Sequence, residues 1–519
     1  MSPRIACLLS ALAMATSAAA QTPPFADTIV ALNPEATVVE SAGPPRLRLA
    51  DPAPRLGRVQ LLALEEAGQW RVRHVKPLHP GPDALRLGAA PGTLSVADGQ
   101  GGWSICEAAP LFALPQASFH RACDGLLLVA ATVEGYRTTV DAVTDLLRDR
   151  LGGLGESAIS VVKAVRGDAD REAATYTPTA LTGPAAADAG PPRARLVAGF
   201  AQRAMAKGEL APALDGVTGP NLDVGRWYRS REQPLAWLSR VTPRAVGHGA
   251  DPETFDAAVD LLAVPLDQVT VAYRVGTEHP RLDWSKWPNA QGKGPGPDGV
   301  GTAAPFARPG MIDPRERERL VAVFAGGFKR LHGALQDGTY YGFVEDGVVL
   351  TRLRPGLATL YTLADGTVRL DPWTGEAPGP LLFARQNGIP LVVDGLPGRR
   401  LEDRSASWST GVDGNPRTAR GGACVIEGER RWLVYAYLSA AIPRTMSDVF
   451  VAYGCRTAML LDMSRAPLAY AALHGRAGHA PLNQGMRRAD PAKGAKFVDQ
   501  ADERDFFAVM VRDDLPTRQ

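Results

Sequence analysis

Short apolar runs cut off by glycine and proline constrain this chain more than any other feature. Val269, Val271, Tyr273 and Val275 alternate strictly with their neighbours, the period of a half-buried strand, and the stretch 276–280 ends the run. Further runs follow at 321–324, 341–344, 348–350, 360–363, 391–393, 423–426 and 432–437, with turn residues between them. Only one helix signal interrupts this half. It starts at Thr445 or Ser447 and is halted by Gly454, before a strand at 458–461. Many strands with few helices predict an α+β fold with a strand-rich C-terminal domain.

The first half is mixed. Residues 46–133 alternate apolar runs with Gly/Pro turns and read as strands. Val140, Val143, Leu147 and Leu151 then recur at helical spacing, with Thr138 and Asp141 as an N-terminal cap and Gly152 as a stop. The stretch 173–193 is mostly Ala, Thr, Pro and Gly, which cannot bury much apolar surface, so it reads as a linker. Two shorter helices are expected around 196–207 and 253–262. Residues 21–260 form an N-terminal region to which no chemistry attaches.

Residues 1–20 read as a cleavable secretory signal: Arg4, an apolar stretch over 5–16, then Ser17-Ala18-Ala19-Ala20. That stretch is shorter than the roughly 20 residues of a membrane-spanning helix, and no later run reaches that length, so no membrane span is expected. Cys7 sits inside the signal and not at its end, which argues against a lipoprotein. A secreted or periplasmic location follows. The four remaining cysteines fall into two local pairs, Cys106 with Cys123 and Cys424 with Cys455. Outside the cytoplasm they are expected to be oxidised, although four buried thiols would have the same spacing. At 519 residues the chain has room for two or three domains, and a net charge of +2 gives no electrostatic case for nucleic acid. No cofactor is expected, and the oligomeric state is open.

Several motifs fall away on context. Gly294, Gly296 and Gly299 match a dinucleotide fingerprint, but prolines fill the gaps and no strand-to-helix turn surrounds them. His474 and His479 lie in a Gly-rich run. Metal binding there would require a helix or rigid turn, so they read as surface loop residues. No GxSxG, P-loop or HExxH occurs, which disfavours a peptidase or esterase.

Four segments carry more. Ala325-Gly326-Gly327-Phe328 is a strand running into paired glycines, either a tight turn or a wall that lets a ligand approach the backbone. Residues 384–395 contain Arg385-Gln386-Asn387 and Val393-Asp394-Gly395. Pro416-Arg417-Thr418-Ala419 leads into a strand, where an arginine can clamp a phosphate or pair with a surface acid. Asp462 ends a buried strand, a position that suits a catalytic carboxylate and a structural acid equally.

In order and spacing these segments resemble the phosphodiester glycosidase family, over about residues 266–515. The Gly-rich stretch 338–347 and the Asp365-Gly366-Thr367 hairpin belong to the same series. The resemblance implies hydrolysis of a sugar-1-phosphodiester, with an envelope or extracellular glycan or glycolipid phosphodiester as substrate. Such a reaction needs a cationic clamp and a carboxylate that stabilises an oxocarbenium-like transition state or activates water. By match to the family's motifs Arg417 is the clamp, with Thr418 beside it, and Asp462 the carboxylate. Gly326 and Gly327 shape the substrate wall. Asp394 and Glu345 are the options for a second carboxylate. Two departures stand out: the family's asparagine before the paired glycines is Ala325 here, and its glycine-rich loop is Asp462-Met463-Ser464-Arg465-Ala466-Pro467. The alternative is a non-catalytic envelope protein that keeps the fold and binds a glycan or a protein.

Overall fold

The computed structural model describes residues 24–25, 28–137, 225–230, 233–247, 251–280, 304–328, 341–401, 408, 416–464, 468–475, 478–481 and 494–512. The secretory signal, the helices expected at 138–152 and 196–207, the linker and the 294–299 glycines lie outside them. Nine strands precede residue 131. They are β1 (Thr37–Glu40), β2 (Leu47–Asp51), β3 (Gln60–Glu66), β4 (Gln69–Pro77), β5 (Leu85–Leu87), β6 (Thr93–Ala97), β7 (Trp103–Glu107), β8 (Phe119–Ala122) and β9 (Leu127–Ala130). Next come β10 (Tyr228–Arg229), β11 (Trp237–Val241), β12 (Val259–Pro265), β13 (Val269–Arg274), β14 (Leu320–Ala325), β15 (Phe343–Glu345), β16 (Val348–Thr351), β17 (Ala358–Leu363) and β18 (Val368–Pro372). The last nine are β19 (Leu381–Gln386), β20 (Val392–Val393), β21 (Leu396–Pro397), β22 (Thr418–Ile426), β23 (Trp432–Ala441), β24 (Cys455–Ser464), β25 (Ala471–Gly475), β26 (Gly478–Pro481) and β27 (Phe506–Val511). Against these stand two α-helices among the described residues, α1 (Ala109–Ala113) and α2 (Pro443–Ala452). The expected α+β class holds coarsely, and the described part is mostly β.

The organising element is an eight-stranded antiparallel sheet in the order β10-β11-β12-β23-β22-β24-β20-β21. Its central strands are buried on both faces. Ala423 and Val425 of β22, Leu433 and Tyr435 of β23, and Met459 and Leu461 of β24 point into one core, shared with β13, β14, β17 and β27. The alternate residues Cys424, Ile426, Val434 and Leu460 point into a second core under α2. Two-sided burial is why these strands read as unbroken apolar runs. Two five-stranded sheets, β13-β27-β14-β25-β26 and β16-β15-β19-β17-β18, complete this half. The helix α2 begins at Pro443, two residues before Thr445, and Gly454 stops it with φ of 76°.

Two expectations are corrected. The helix around 253–262 is a short 3₁₀ turn, Pro252–Thr254, followed by β12, all seven of whose residues are buried. A buried strand and a buried helix segment share the same apolar pattern, and only the pairing of β12 with β11 and β23 decides between them. His474 and His479 are not loop residues: they sit on β25 and β26.

Both expected disulfides form, Cys106 with Cys123 and Cys424 with Cys455, at Cα separations of 5.4 and 5.8 Å. They suit an oxidising compartment. No helix among the described residues is long and apolar enough to cross a membrane.

The N-terminal sheet, β1-β2-β3-β4-β9-β8, has its own apolar core and meets the rest through apolar contacts at Val59 and through a cluster of charges. Lys76 at the end of β4 is 1% exposed and lies 2.7 Å from Asp346 and 3.4 Å from Asp313. Arg58 donates to Asp346 at 2.9 Å. On the other side Arg274 reaches Glu316 at 2.5 Å, Asp346 at 3.3 Å and Glu345 at 3.5 Å, while Arg315 holds Asp313 at 2.6 Å. Four cations thus meet four acids in a largely buried site, where removing one partner strands another.

Within this cluster Asp346 is held well below the usual carboxylate range by Arg274, Lys76 and Arg58, against the pull of burial. Glu345 is pushed up to about 7, chiefly by burial, with Asp346 adding to it and Arg274, Lys76 and the Val275 N–H opposing. A carboxyl raised in the folded state binds its proton more tightly there than in the unfolded chain. Its contribution therefore lowers stability as pH climbs from its ordinary value of 4.5 toward about 7. Glu345→Gln should remove that loss, visible as a flatter dependence of the thermal midpoint on pH over this window. An unchanged slope would show that Glu345 does not titrate there.

Candidate active site

β14 ends at Ala325 beside Phe506, the first residue of β27, and the chain continues into Gly326, Gly327 and Phe328. The amide of Gly326 donates to the Asp505 carbonyl at 2.8 Å. Both glycines are required by what surrounds them. A Cβ on Gly326 would lie 2.6 Å from Asp505 Oδ2, and one on Gly327 would lie 2.7 Å from the Asn387 amide carbon. The paired glycines are therefore the contact at which three distant segments meet.

Those segments are fixed by the Arg385-Gln386-Asn387 run at the end of β19. Arg385, fully buried, donates from Nε to Asp505 Oδ2 at 2.7 Å and from Nη2 to the Phe328 carbonyl at 2.6 Å. Asn387 accepts from the Phe328 amide at 2.9 Å and donates to the Leu460 carbonyl of β24 at 2.7 Å. Gln386 accepts from the amides of Gly342 and Arg354 and donates to Thr359 Oγ1. The Tyr273 hydroxyl donates to Asp505 Oδ2 at 2.9 Å, and burial raises its pKa well above the usual phenol value. Both described donors to this carboxylate converge on Oδ2, and Oδ1 is buried without a hydrogen-bond partner.

Asp462 sits two residues along β24 from Leu460 and is 5% exposed. Its Oδ2 lies 2.5 Å from Arg504 Nη1, and its Oδ1 accepts from the Met463 amide at 2.9 Å. Burial raises its pKa; Arg504 and the Met463 N–H oppose, and Asp505 adds a smaller upward push. Arg504 and Asp505 are chain neighbours, so one short stretch serves both Asp462 and the paired glycines. Close by, the Tyr435 hydroxyl lies over Gly421, where a Cβ would come within 2.6 Å of it. This hydroxyl is buried and also lacks a hydrogen-bond partner.

The other motif residues lie further out. Arg417 precedes β22, is about one-third exposed, and donates from Nε to Asp251 at 2.9 and 3.0 Å, with Glu253 at 3.3 Å. The hydrogen bond to Asp251 raises its pKa further. It stands four residues before Gly421, roughly 13 Å at the rise of a strand. Thr418 is buried and donates to the Ser464 carbonyl at 2.9 Å, tying β22 to β24. Asp394 occupies the turn between β20 and β21 with φ of 49°, exposed and 3.2 Å from Arg456. Glu345 belongs to the charge cluster. Ala325 is buried, and its amide donates to the Tyr470 carbonyl at 2.7 Å. Gly326, Gly327 and Asp462 are thus brought together through the Arg504–Asp505 stretch, whereas Arg417 pairs with Asp251 and Glu253, and Asp394 with Arg456. Among the described residues no group of three or more His, Cys, Asp or Glu side chains is set to hold a metal ion.

Two substitutions probe this packing. Gly327→Ala should cost about 1–3 kcal/mol, because the Asn387 amide cannot retreat without breaking two hydrogen bonds. Tyr435→Phe should be neutral or stabilising by about 1 kcal/mol, since it removes a buried hydroxyl that gains nothing. Urea midpoints of the purified variants check both. A clearly destabilised Tyr435→Phe would mean that the hydroxyl is bonded.

No protein-family model matches the chain, and no curated protein matches it. Some solved structures are distantly similar. The catalytic domain of zebrafish N-acetylglucosamine-1-phosphodiester alpha-N-acetylglucosaminidase, auto-inhibited by its pro-peptide, is 13% identical. It aligns over 55% of this chain and 86% of its own, with a TM-score of 0.31. A Synechocystis protein is 8% identical over 88% of this chain and 97% of its own, with a TM-score of 0.25. A Burkholderia pseudomallei protein is 11% identical over 49% and 74%, with a TM-score of 0.21.

Proposed function

We propose that this protein is an exported hydrolase that cleaves a sugar-1-phosphodiester in an envelope or extracellular glycan. The observation that carries the reading is Asp462, a buried carboxyl with a raised pKa, held by Arg504, the chain neighbour of the Asp505 that packs on the paired glycines. Burial of this kind tunes a carboxylate toward proton transfer near neutral pH, and the Arg504 guanidinium beside it keeps the ionised form accessible. In this reading Asp462 activates water or stabilises the oxocarbenium-like transition state. Arg417, with Thr418, clamps the phosphodiester, exchanging Asp251 and Glu253 for the substrate anion. Gly326 and Gly327 form the wall against which the sugar lies. The ordered motif series of residues 266–515 supports the same chemistry.

A second reading, a non-catalytic glycan- or protein-binding protein with the same fold, is favoured by one observation. Ala325 has no side-chain amide to offer where the family carries asparagine, and its methyl group is packed inside the sheet.

Mature protein assayed on a panel of sugar-1-phosphodiesters should turn over at least one member. Asp462→Asn should lower kcat/KM by roughly 10²–10⁴-fold, and Arg417→Ala should act mainly through KM. Because the base must be ionised, activity should fall as pH drops through a limb lying above 3.8, the ordinary value for this group. Absence of turnover across the panel, with glycan binding retained, would favour the second reading. Turnover surviving both substitutions would overturn the site.

A further inference from the structure

His474 and His479 are the part of the sequence that the proposed reaction leaves unused, and the fold presents them on a rigid scaffold. β25 and β26 form a hairpin in which the two histidines are direct cross-strand partners. Side chains of such partners stand on the same face of the sheet. Their imidazoles are stacked, with centroids 5.7 Å apart and planes 18° from parallel. β25 is itself paired to β14, with Leu473 opposite Ala322, and the His474 carbonyl accepts from Gln233 Nε2 at 2.7 Å. The backbone under the pair is thus fixed along both edges of β25.

The Nε2 atom of His474 is buried and has no hydrogen-bond partner. A buried nitrogen left unpaired costs free energy, and each such atom in a folded protein calls for an explanation. We propose that His474 and His479, once the His479 ring turns out of the stack so that both nitrogen lone pairs point to one centre, form a two-nitrogen chelate for a divalent transition-metal ion of the copper, nickel and zinc class, with water or an anionic oxygen ligand completing the coordination. Imidazole nitrogen selects these ions over magnesium and calcium, which require oxygen.

The electrostatics suit a ligand pair. Burial lowers the His474 pKa to about 3, with His479 and Arg317 adding to the effect and Asp499 opposing it. Burial lowers that of His479 as well, again against Asp499. Burial thus favours the neutral form of both rings, the form that ligates a metal ion. Asp499 is ion-paired with Arg317. With two protein ligands the chelate leaves open positions, the arrangement that admits an external ligand. The pair sits at the far end of β14 from the paired glycines. Ala322, level with Leu473, lies four residues before Gly326, roughly 13 Å away along the strand. The chelate is therefore independent of the proposed hydrolase site.

Untagged mature protein, stripped with chelator and titrated calorimetrically with CuCl₂, ZnCl₂ and MgCl₂, tests this. One equivalent of copper and of zinc should bind, copper more tightly, and magnesium should not. His474→Ala and His479→Ala should each weaken copper binding at least tenfold, and His479, the more exposed ring, decides the matter if the His474 variant fails to fold. Paramagnetic resonance of the copper form should show nitrogen coupling from two imidazoles in the wild type and lose it in His479→Ala. No stoichiometric copper binding, or affinity unchanged in His479→Ala, would overturn the proposal.

Discussion

The ion pair between Arg385 and Asp505 governs the centre of the C-terminal half. It joins β19 to the entrance of β27 inside a region closed to water, where an unmatched charge on either side would be untenable. From it the other constraints follow. Arg385 spends its remaining donors on the Gln386 and Phe328 carbonyls, which fixes the path of the chain after the paired glycines. Asp505 in turn takes the Tyr273 hydroxyl on the same carboxylate oxygen and the Gly326 amide on its backbone carbonyl, so β13, β14, β19 and β27 meet at one residue. A pair this demanding leaves the local geometry a single solution, and the glycines are where that solution meets its tightest contacts.

The eight-stranded sheet supplies the frame around this centre. Its middle strands serve two cores at once, and α2 closes the second of them. Asp462 sits at a bulge between β22 and β24, where the register shifts between Arg420 and Gly422. Bulges re-aim side chains, and this one turns a carboxyl out of the alternating apolar pattern toward Arg504.

The strand-rich character, the positions of most C-terminal strands, the end of α2 and both cysteine pairs were legible in the sequence, because each rests on local pattern or short spacing. β12 was not, since a run buried on both faces carries no period of two. Asp462 was legible as an acid on a buried strand, although that strand runs on to Ser464 rather than ending there. Its partner was not. Arg504 and Asp505 look like a charged turn before an apolar strand, and nothing local shows that they face inward to partners 42 and 120 residues away. Asn387 and Arg385 stood in a recognisable motif, yet their task as struts depends on a turn that comes about sixty residues earlier, the Phe328 contacts spanning 59 and 57. The histidines were misplaced for a related reason: a Gly-rich stretch reads as a loop until the strand beside it is known.

The charged seam between the N-terminal sheet and the rest bears on how the molecule is assembled. A chain made from its N-terminus offers Arg58 and Lys76 long before the acids that receive them, with 288 residues separating Arg58 from Asp346 and 237 separating Lys76 from Asp313. Until then both cations keep their hydration shells, and the early sheet must wait with that edge wet. Closing the seam strips water from Lys76 and in part from Arg58, together with the acids that receive them, so the charges favour a single seating. Apolar contacts alone would tolerate sliding, whereas these charges work as a lock whose key is cut at the other end of the chain.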